Sequence, residues 1–144
     1  MRVNNIIKFR KNKFLNKVIY HILLRKGIDL PAEVKLGKKV SFPHNSIGTV
    51  IHNNTVIEDN VRIYQNVTLG RADIYNPIEK SEMKGIHIKR GAIICAGAKI
   101  LCKAGTLEVG ENTVVAANAV LLESTGDNEI WGGIPAKRIG TVKK

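Results

Sequence analysis

Residues 51–70 read IHNNTVIEDNVRIYQNVTLG, and within them Ile51, Ile57, Ile63 and Leu69 stand six residues apart. Two more registers keep the same step. Thr55, Val61 and Val67 are small or β-branched, and Asn54, Asn60 and Asn66 form the third. Neither the roughly 3.6-residue period of a helix nor the alternation of an amphipathic strand produces such a pattern in three registers. Asn, like Gly, enters φ > 0 at low cost, so a corner every six residues is the economical reading. Short strands joined by such corners, each pointing one large side chain inward, make a parallel β-helix of hexapeptides.

The rhythm continues on both sides of this stretch. Leu30, Leu36 and Phe42 precede it; Ile88, Ile94 and Ile100, then Val109, Val115 and Leu121, follow. Ala92, Ala98, Thr113 and Ala119 extend the small register, and Gly91, Gly97, Asn112 and Asn118 extend the corners. The phase slips three times: nine residues separate Phe42 from Ile51, nineteen separate Leu69 from Ile88, and nine separate Ile100 from Val109. A regular sequence departs from its own rule mainly at functional sites. Attention therefore falls on His44 in the first slip, the polar loop 71–87 in the second, and Lys103–Gly105 in the third.

A chain of 144 residues supports one core. The expected organisation is a basic amphipathic helical segment at 1–26, a β-helix at 27–140 with an excursion at 71–87, and a basic tail at 141–144. Cys95 and Cys102 are too few for a disulfide framework and lack metal-site spacing, so both read as reduced small hydrophobes. The net charge is +11, of which residues 1–26 carry eight Lys or Arg and no acid, leaving 11 − 8 = +3 for the rest. Within that segment Val3, Ile7, Phe14, Val18 and Ile22 fall at helical intervals, with Leu15, Ile19 and Leu23 beside them. Two readings stay open: a cap on the end of the solenoid, or a helix lying on an anionic membrane. Without aromatic interleaving the basic residues do not suggest a nucleic-acid partner. The longest apolar run, Val18–Leu24, is interrupted by His21 and is far short of the ~20 residues of a membrane span. No cleavable leader is recognisable. The expectation is a cytoplasmic protein, at the inner membrane surface if the helix meets lipid.

The hexapeptide pattern resembles the hexapeptide-repeat acyltransferases. The stretches NVRIYQNVTLG (60–70), GAKIL (97–101) and GIPAKRIG (133–140) are similar to the serine acetyltransferase branch. The resemblance covers about residues 27–140 and implies a left-handed triangular coil, a homotrimer and acetyl-CoA as co-substrate, with no metal. It also implies a general base, which here is His44, oriented by a carboxylate fifteen residues upstream, which here is Asp29. The chemistry suits these residues. A hydroxyl is a poor nucleophile at neutral pH, and a neutral imidazole takes its proton as it attacks a thioester. For the coenzyme, the resemblance points to Lys137 and Arg138 at the phosphates and to a wall of small residues at Gly97, Ala98, Ala116, Ala117 and Ala119. The loop is implied to reach the active site and a neighbouring subunit, making Arg71, Asp73 and His87 candidates to meet the acceptor.

A zinc site is disfavoured. His52 and His87 are available, but the position five residues after His87 is Ala92 and no third ligand presents itself. Two departures bear on the acceptor. Pro43 precedes His44 where the serine branch carries an aspartate, and Gly85 stands where that branch carries a loop histidine. The long helical domain of those enzymes is also missing ahead of the coil. These departures weaken the case for serine, and the resemblance to short members of the family with this layout implies a carbohydrate hydroxyl, in a surface polysaccharide or its precursor, as the expected acceptor. Serine O-acetylation for cysteine biosynthesis is the alternative, and a non-catalytic β-helix scaffold is the reading from another class.

Overall fold

The computed structural model describes residues 2–10 and 12–143, leaving out the side chain of Lys13; Lys11 and Lys144, counted among the basic residues above, lie outside the described residues. The chain winds as a left-handed parallel β-helix with three faces. Face A carries Val50–Ile51, Thr68–Arg71, Lys99–Cys102 and Val120–Leu121. Face B carries Lys35–Leu36, Thr55–Ile57, Met83–Ile88 and Gly105–Val109. Face C carries Arg62–Ile63, Ile93–Ile94, Val114–Val115 and Glu129–Gly133. Asp29 pairs with Val50 on face A and Ser41 with Arg62 on face C, so the first coil begins at residue 29.

Register follows from the hexapeptides. Val50 pairs with Thr68, eighteen residues on, which is three hexads per turn. The slips of phase appear as longer spacings: Ser41 pairs with Arg62, Thr68 with Lys99 and Lys99 with Val120. The inward side chains stack in columns, Ile51, Leu69, Ile100 and Leu121 on face A and Ile57, Ile88 and Val109 on face B, each at most 1% exposed. Phe42, Ile63, Ile94 and Val115 form the column on face C. The second register fills the corners from inside, with Thr55, Val61, Val67, Ala92, Ala98, Thr113 and Ala119 all buried.

Two of the three corners are left-handed at every turn. Lys39, Asn60, Gly91, Asn112 and Asn128 have φ > 0 where face B meets face C. Asn66, Gly97 and Asn118 do so where face C meets face A. Asn54, expected to join them, does not: it lies at the third corner, between faces A and B, where only Gly105 among the described residues is left-handed. The loop and the Lys103–Gly105 slip both leave from this A/B corner, and the His44 slip leaves from the C/A corner.

The ends depart most from expectation. Residues Val3–Ile6 (α1) and Lys13–Arg25 (α2) are separate helices, with Asn12 capping the second through its side chain to Leu15 N at 2.9 Å. Val3, Ile6, Ile19 and Leu23 are buried in the same core as the coil, so this segment covers the open first turn. Phe14, Val18 and Ile22, the stripe read first from the sequence, face outward. At the other end the parallel winding stops before residue 140: Glu129–Gly133 pairs with Ala136–Thr141 as an antiparallel hairpin.

The loop is tied at its base by an ion pair. Arg71 Nε donates to Asp73 Oδ1 at 2.9 Å, and its Nη2 donates to the carbonyls of Asp73 and Asn76 at 3.0 Å. Asp73 is 1% exposed, and the hydrogen bond from Arg71 holds its carboxyl below the usual range.

Two predictions follow from the coil geometry. Gly97 (φ +74) lies under Asn118, whose Oδ1 a new Cβ would strike, whereas Gly105 (φ +61) has nothing within 4 Å of that position. Gly105→Ala should therefore cost only the backbone term, about 1 kcal/mol. Gly97→Ala should cost more, about 2–3 kcal/mol in urea unfolding, and adding Asn118→Gly should recover the difference. The second concerns pH. Because the folded carboxyl of Asp73 titrates low, its contribution is complete above the ordinary carboxylate range and is lost as pH falls through the depressed value. Hydrogen exchange of amides 72–82 should stay protected at acidic pH in the parent, while Asp73→Asn should show weaker protection that no longer varies with pH there.

Candidate active site

His44 sits in a corner that the chain enters under strain. His44, Asn45 and Ser46 have φ of 53°, 58° and 43°, three left-handed residues in a row without a glycine. Such conformations are costly and persist only where the surroundings over-determine them. Here they do. Ser46, fully buried, donates its hydroxyl to Ile63 O at 2.6 Å. Asn45 Oδ1 accepts from Val3 N at 3.1 Å, and Asn4 Oδ1 accepts from Phe42 N at 2.7 Å. The N-terminal residues thus clamp the corner from both sides of His44. The imidazole is exposed, packs 6.3 Å from the ring of Tyr64, and lines a depression of about 350 Å³ with Arg2, Asn4, Phe42, Pro43 and Asn45.

Asp29 stands at the start of face A, held by backbone bonds from its N–H to Thr49 O and from Ile51 N to its carbonyl, both 2.9 Å. Its Oδ1 is buried and has no hydrogen-bond partner. Among the described residues no hydrogen bond or ion pair joins Asp29 to His44. The group beside Asp29 is Tyr20, on α2, whose phenol is pushed up by burial and then by the Asp29 charge.

The C/A edge that begins at His44 continues through the other expected residues. Its corners stack as Tyr64–Val67, Cys95–Ala98 and Ala116–Ala119, which places Gly97, Ala98, Ala116, Ala117 and Ala119 on one line. At about 4.8 Å per strand, three coils separate the His44 corner from Asn118 by roughly 14 Å. The hairpin closes the far end: Ala116 N donates to Trp131 O at 2.8 Å, and the turn at Ile134–Pro135 follows. Lys137 and Arg138 lie just beyond that turn, exposed, and paired with Glu123 at 2.9 Å and Glu129 at 3.2 Å. Glu129 is itself fixed by Trp131 Nε1 at 2.8 Å.

The acceptor candidates are elsewhere on the same chain. Arg71 and Asp73 bind each other at the A/B corner. His87 is on face B, opposite the C/A edge, with Nε2 2.7 Å from Glu58 and Nδ1 3.9 Å from Glu108, which also pairs with Lys89 at 2.8 Å. His52 lies beside Arg71; burial first and the Arg71 charge second lower its pKa. Among the described residues no three or more His, Cys, Asp or Glu side chains gather as a metal site. Burial pushes both thiols, Cys95 and Cys102, above their usual value. The sequence gives no warning of Asn4, Asn45 or Tyr20. Only the run of residues able to turn left-handed after Pro43 hints at the strained corner.

No family model matches the chain. The serine acetyltransferase of Salmonella typhimurium is 34% identical over 113 residues, covering 78% of this chain and 38% of the relative. That of Staphylococcus aureus is 34% identical over 109 residues, covering 76% of this chain and 47% of the relative. The crystal structure of serine acetyltransferase from Brucella abortus in complex with coenzyme A superposes with a TM-score of 0.72 at 30% identity, over 90% of this chain and 47% of that one. The chain thus spans less than half the length of these relatives. In sequence and in fold, this chain is a homologue of the serine acetyltransferases, of the hexapeptide-repeat acyltransferase family.

Proposed function

We propose that this protein transfers an acetyl group from acetyl-CoA to a hydroxyl, with His44 as general base, and that the acceptor is serine. The observation that carries this reading is the C/A edge. A strained, exposed histidine stands at one end of it, a lysine–arginine pair at the other, and small residues lie between. A scaffold would need none of these in line. The relatives named above are serine acetyltransferases, and one was crystallised with coenzyme A. They support serine as acceptor over the expected carbohydrate hydroxyl.

In this mechanism the neutral His44 imidazole takes the proton of the acceptor hydroxyl as its oxygen attacks the thioester carbonyl. The C–S bond then breaks, and the imidazolium returns the proton to the departing thiolate. The acetyl ester and free coenzyme A leave, with no acyl-enzyme. Asp29 supports the base by orienting it. Its buried, unpartnered Oδ1 suits that role, since a carboxylate oxygen out of water is an acceptor in want of a donor. The raised thiols of Cys95 and Cys102 count against a covalent route. Gly97, Ala116 and Ala117 would flank the pantetheine arm, whereas the side chains of Ala98 and Ala119 point into the coil and leave only their backbone on that edge. Lys137, released from the exposed Glu123, and Arg138, released from the half-buried Glu129, would meet the phosphates. The loop whose base Arg71 and Asp73 tie, and the face-B His87, lie away from the C/A edge and would meet a His44 on another copy, which favours a cyclic trimer.

The test is release of free thiol from acetyl-CoA against L-serine, simple sugars and polysaccharide fragments. Turnover should be highest with L-serine; a sugar that outperforms it would overturn the acceptor, and no turnover on any hydroxyl would overturn the activity. On the best acceptor, His44→Ala should lower kcat by about 10²–10⁴ while the coenzyme still binds, and Asp29→Asn should cost less. Parental turnover in His44→Ala would remove it as the base. Lys137→Ala with Arg138→Ala should raise KM for acetyl-CoA and leave kcat much less changed, because phosphate contacts are alike in ground and transition states. An unchanged KM would place the donor site elsewhere.

A further inference from the structure

We propose that the outward face of α2 seats on an anionic phospholipid bilayer. Helix α2 uses only one side against the coil, where Ile19 and Leu23 are buried and Leu15 is partly buried. The opposite side holds Phe14 (76% exposed), Val18 (47%), Ile22 (41%) and Leu24 (40%). Lys17, His21 and Arg25 are interleaved among them at four-residue steps. On a helix these seven residues fall within about 160° of one another, so one surface presents four apolar and three basic or titratable side chains. It carries no acid, because residues 1–26 contain none.

The cationic surface extends past the helix. Residues 7–10, which pack against α2, form with Leu36–Ser41 a groove of about 550 Å³ that includes Lys8, Lys38 and Lys39. None of these three is in an ion pair among the described residues. The acids near this end are Asp29, beside Tyr20 on the coil side of α2, Glu33, close to Arg10 and Tyr20, and Asp59, whose carboxylate accepts from Lys38 N at 2.6 Å. Arg10 is not free for a ligand, since its Nη2 donates to the carbonyls of Pro31, Ala32 and Val34.

Charge decides the occupant. Two copies meeting through this face would set Lys17, His21 and Arg25 of one against those of the other, with no acid between them. A zwitterionic surface has phosphates balanced by choline and no net charge to attract the cations. An anionic leaflet offers both an apolar layer at a depth that Phe14, Val18 and Ile22 can enter and phosphates for the flanking Lys and Arg. This proposal is independent of the acetyl-transfer reading.

Co-sedimentation of the full chain with vesicles of phosphatidylcholine, or of phosphatidylcholine with about one-third phosphatidylglycerol, tests it. The protein should bind the anionic vesicles about tenfold or more tightly than the neutral ones, and the preference should shrink at high salt. Phe14→Ser with Val18→Ser should lose the binding while keeping the parental circular dichroism and solution mass. In a second measurement, Phe14→Trp should blue-shift on anionic vesicles, with Trp131 at the far end of the coil giving a constant background. Equal binding to both vesicles, no binding to either, or no spectral shift would overturn the proposal. So would a fall in solution mass in the serine variant, which would assign the face to a second copy. Acetyl transfer to soluble acceptors without vesicles should be unchanged in Phe14→Ser with Val18→Ser.

Discussion

Every strand of a parallel coil must find its hydrogen-bond partners on the turns above and below it. That requirement disciplines the rest of this molecule. A turn that returns out of register orphans a row of N–H and C=O groups, so each corner must bring the chain back to the same place. The left-handed residues where face B meets C and C meets A do this in one residue, at Lys39, Asn60, Gly91, Asn112 and Asn128 on one edge. Once the corners repeat, the inward residues fall into columns without further instruction. Inserted residues can leave only at corners, because a two-residue strand has none to spare. Excursions are therefore confined to edges, and the edge bearing His44 is also lined by small residues.

The coil itself was legible because each strand spends its one inward position on a large aliphatic, which makes a six-step easy to see. What the sequence could not disclose was decided by packing between segments. Phe14–Val18–Ile22 and Leu15–Ile19–Leu23 have the same spacing, and only the shape of the first coil selects the second stripe for burial. Asn54 shares its register with Asn60 and Asn66, yet it lies at the corner that turns differently. The terminal hairpin was hidden as well. Its pairing of Trp131 with Arg138 reverses the chain, and a reversal has no hexad to announce it.

At the candidate site, the slip of phase around His44 coincides with a corner where three consecutive non-glycine residues are left-handed. The clamps were out of reach of sequence reasoning, since Val3–Asn45 and Asn4–Phe42 join residues 42 and 38 apart with no motif. Arg71 and Asp73 show what a loop sequence leaves open. Opposite charges in a polar loop look like ligands for something, and two residues apart they also bind each other and tie the loop's base.

The hairpin at the end of the coil also sets how far the stack can grow. A parallel solenoid with a bare last turn is a template on which the first turn of another molecule can add, and nothing in a repeat says when to stop. Here the final strand, Ala136–Thr141, runs against the direction of all the others on its face. The rim it offers has the wrong polarity for a parallel newcomer, and Lys137 and Arg138 project from it. At the opposite rim Val3 and Ile6 occupy the place a preceding turn would take. The molecule is in this sense a counted object, closed against fibre growth by a change of strand direction at one end and a helix at the other.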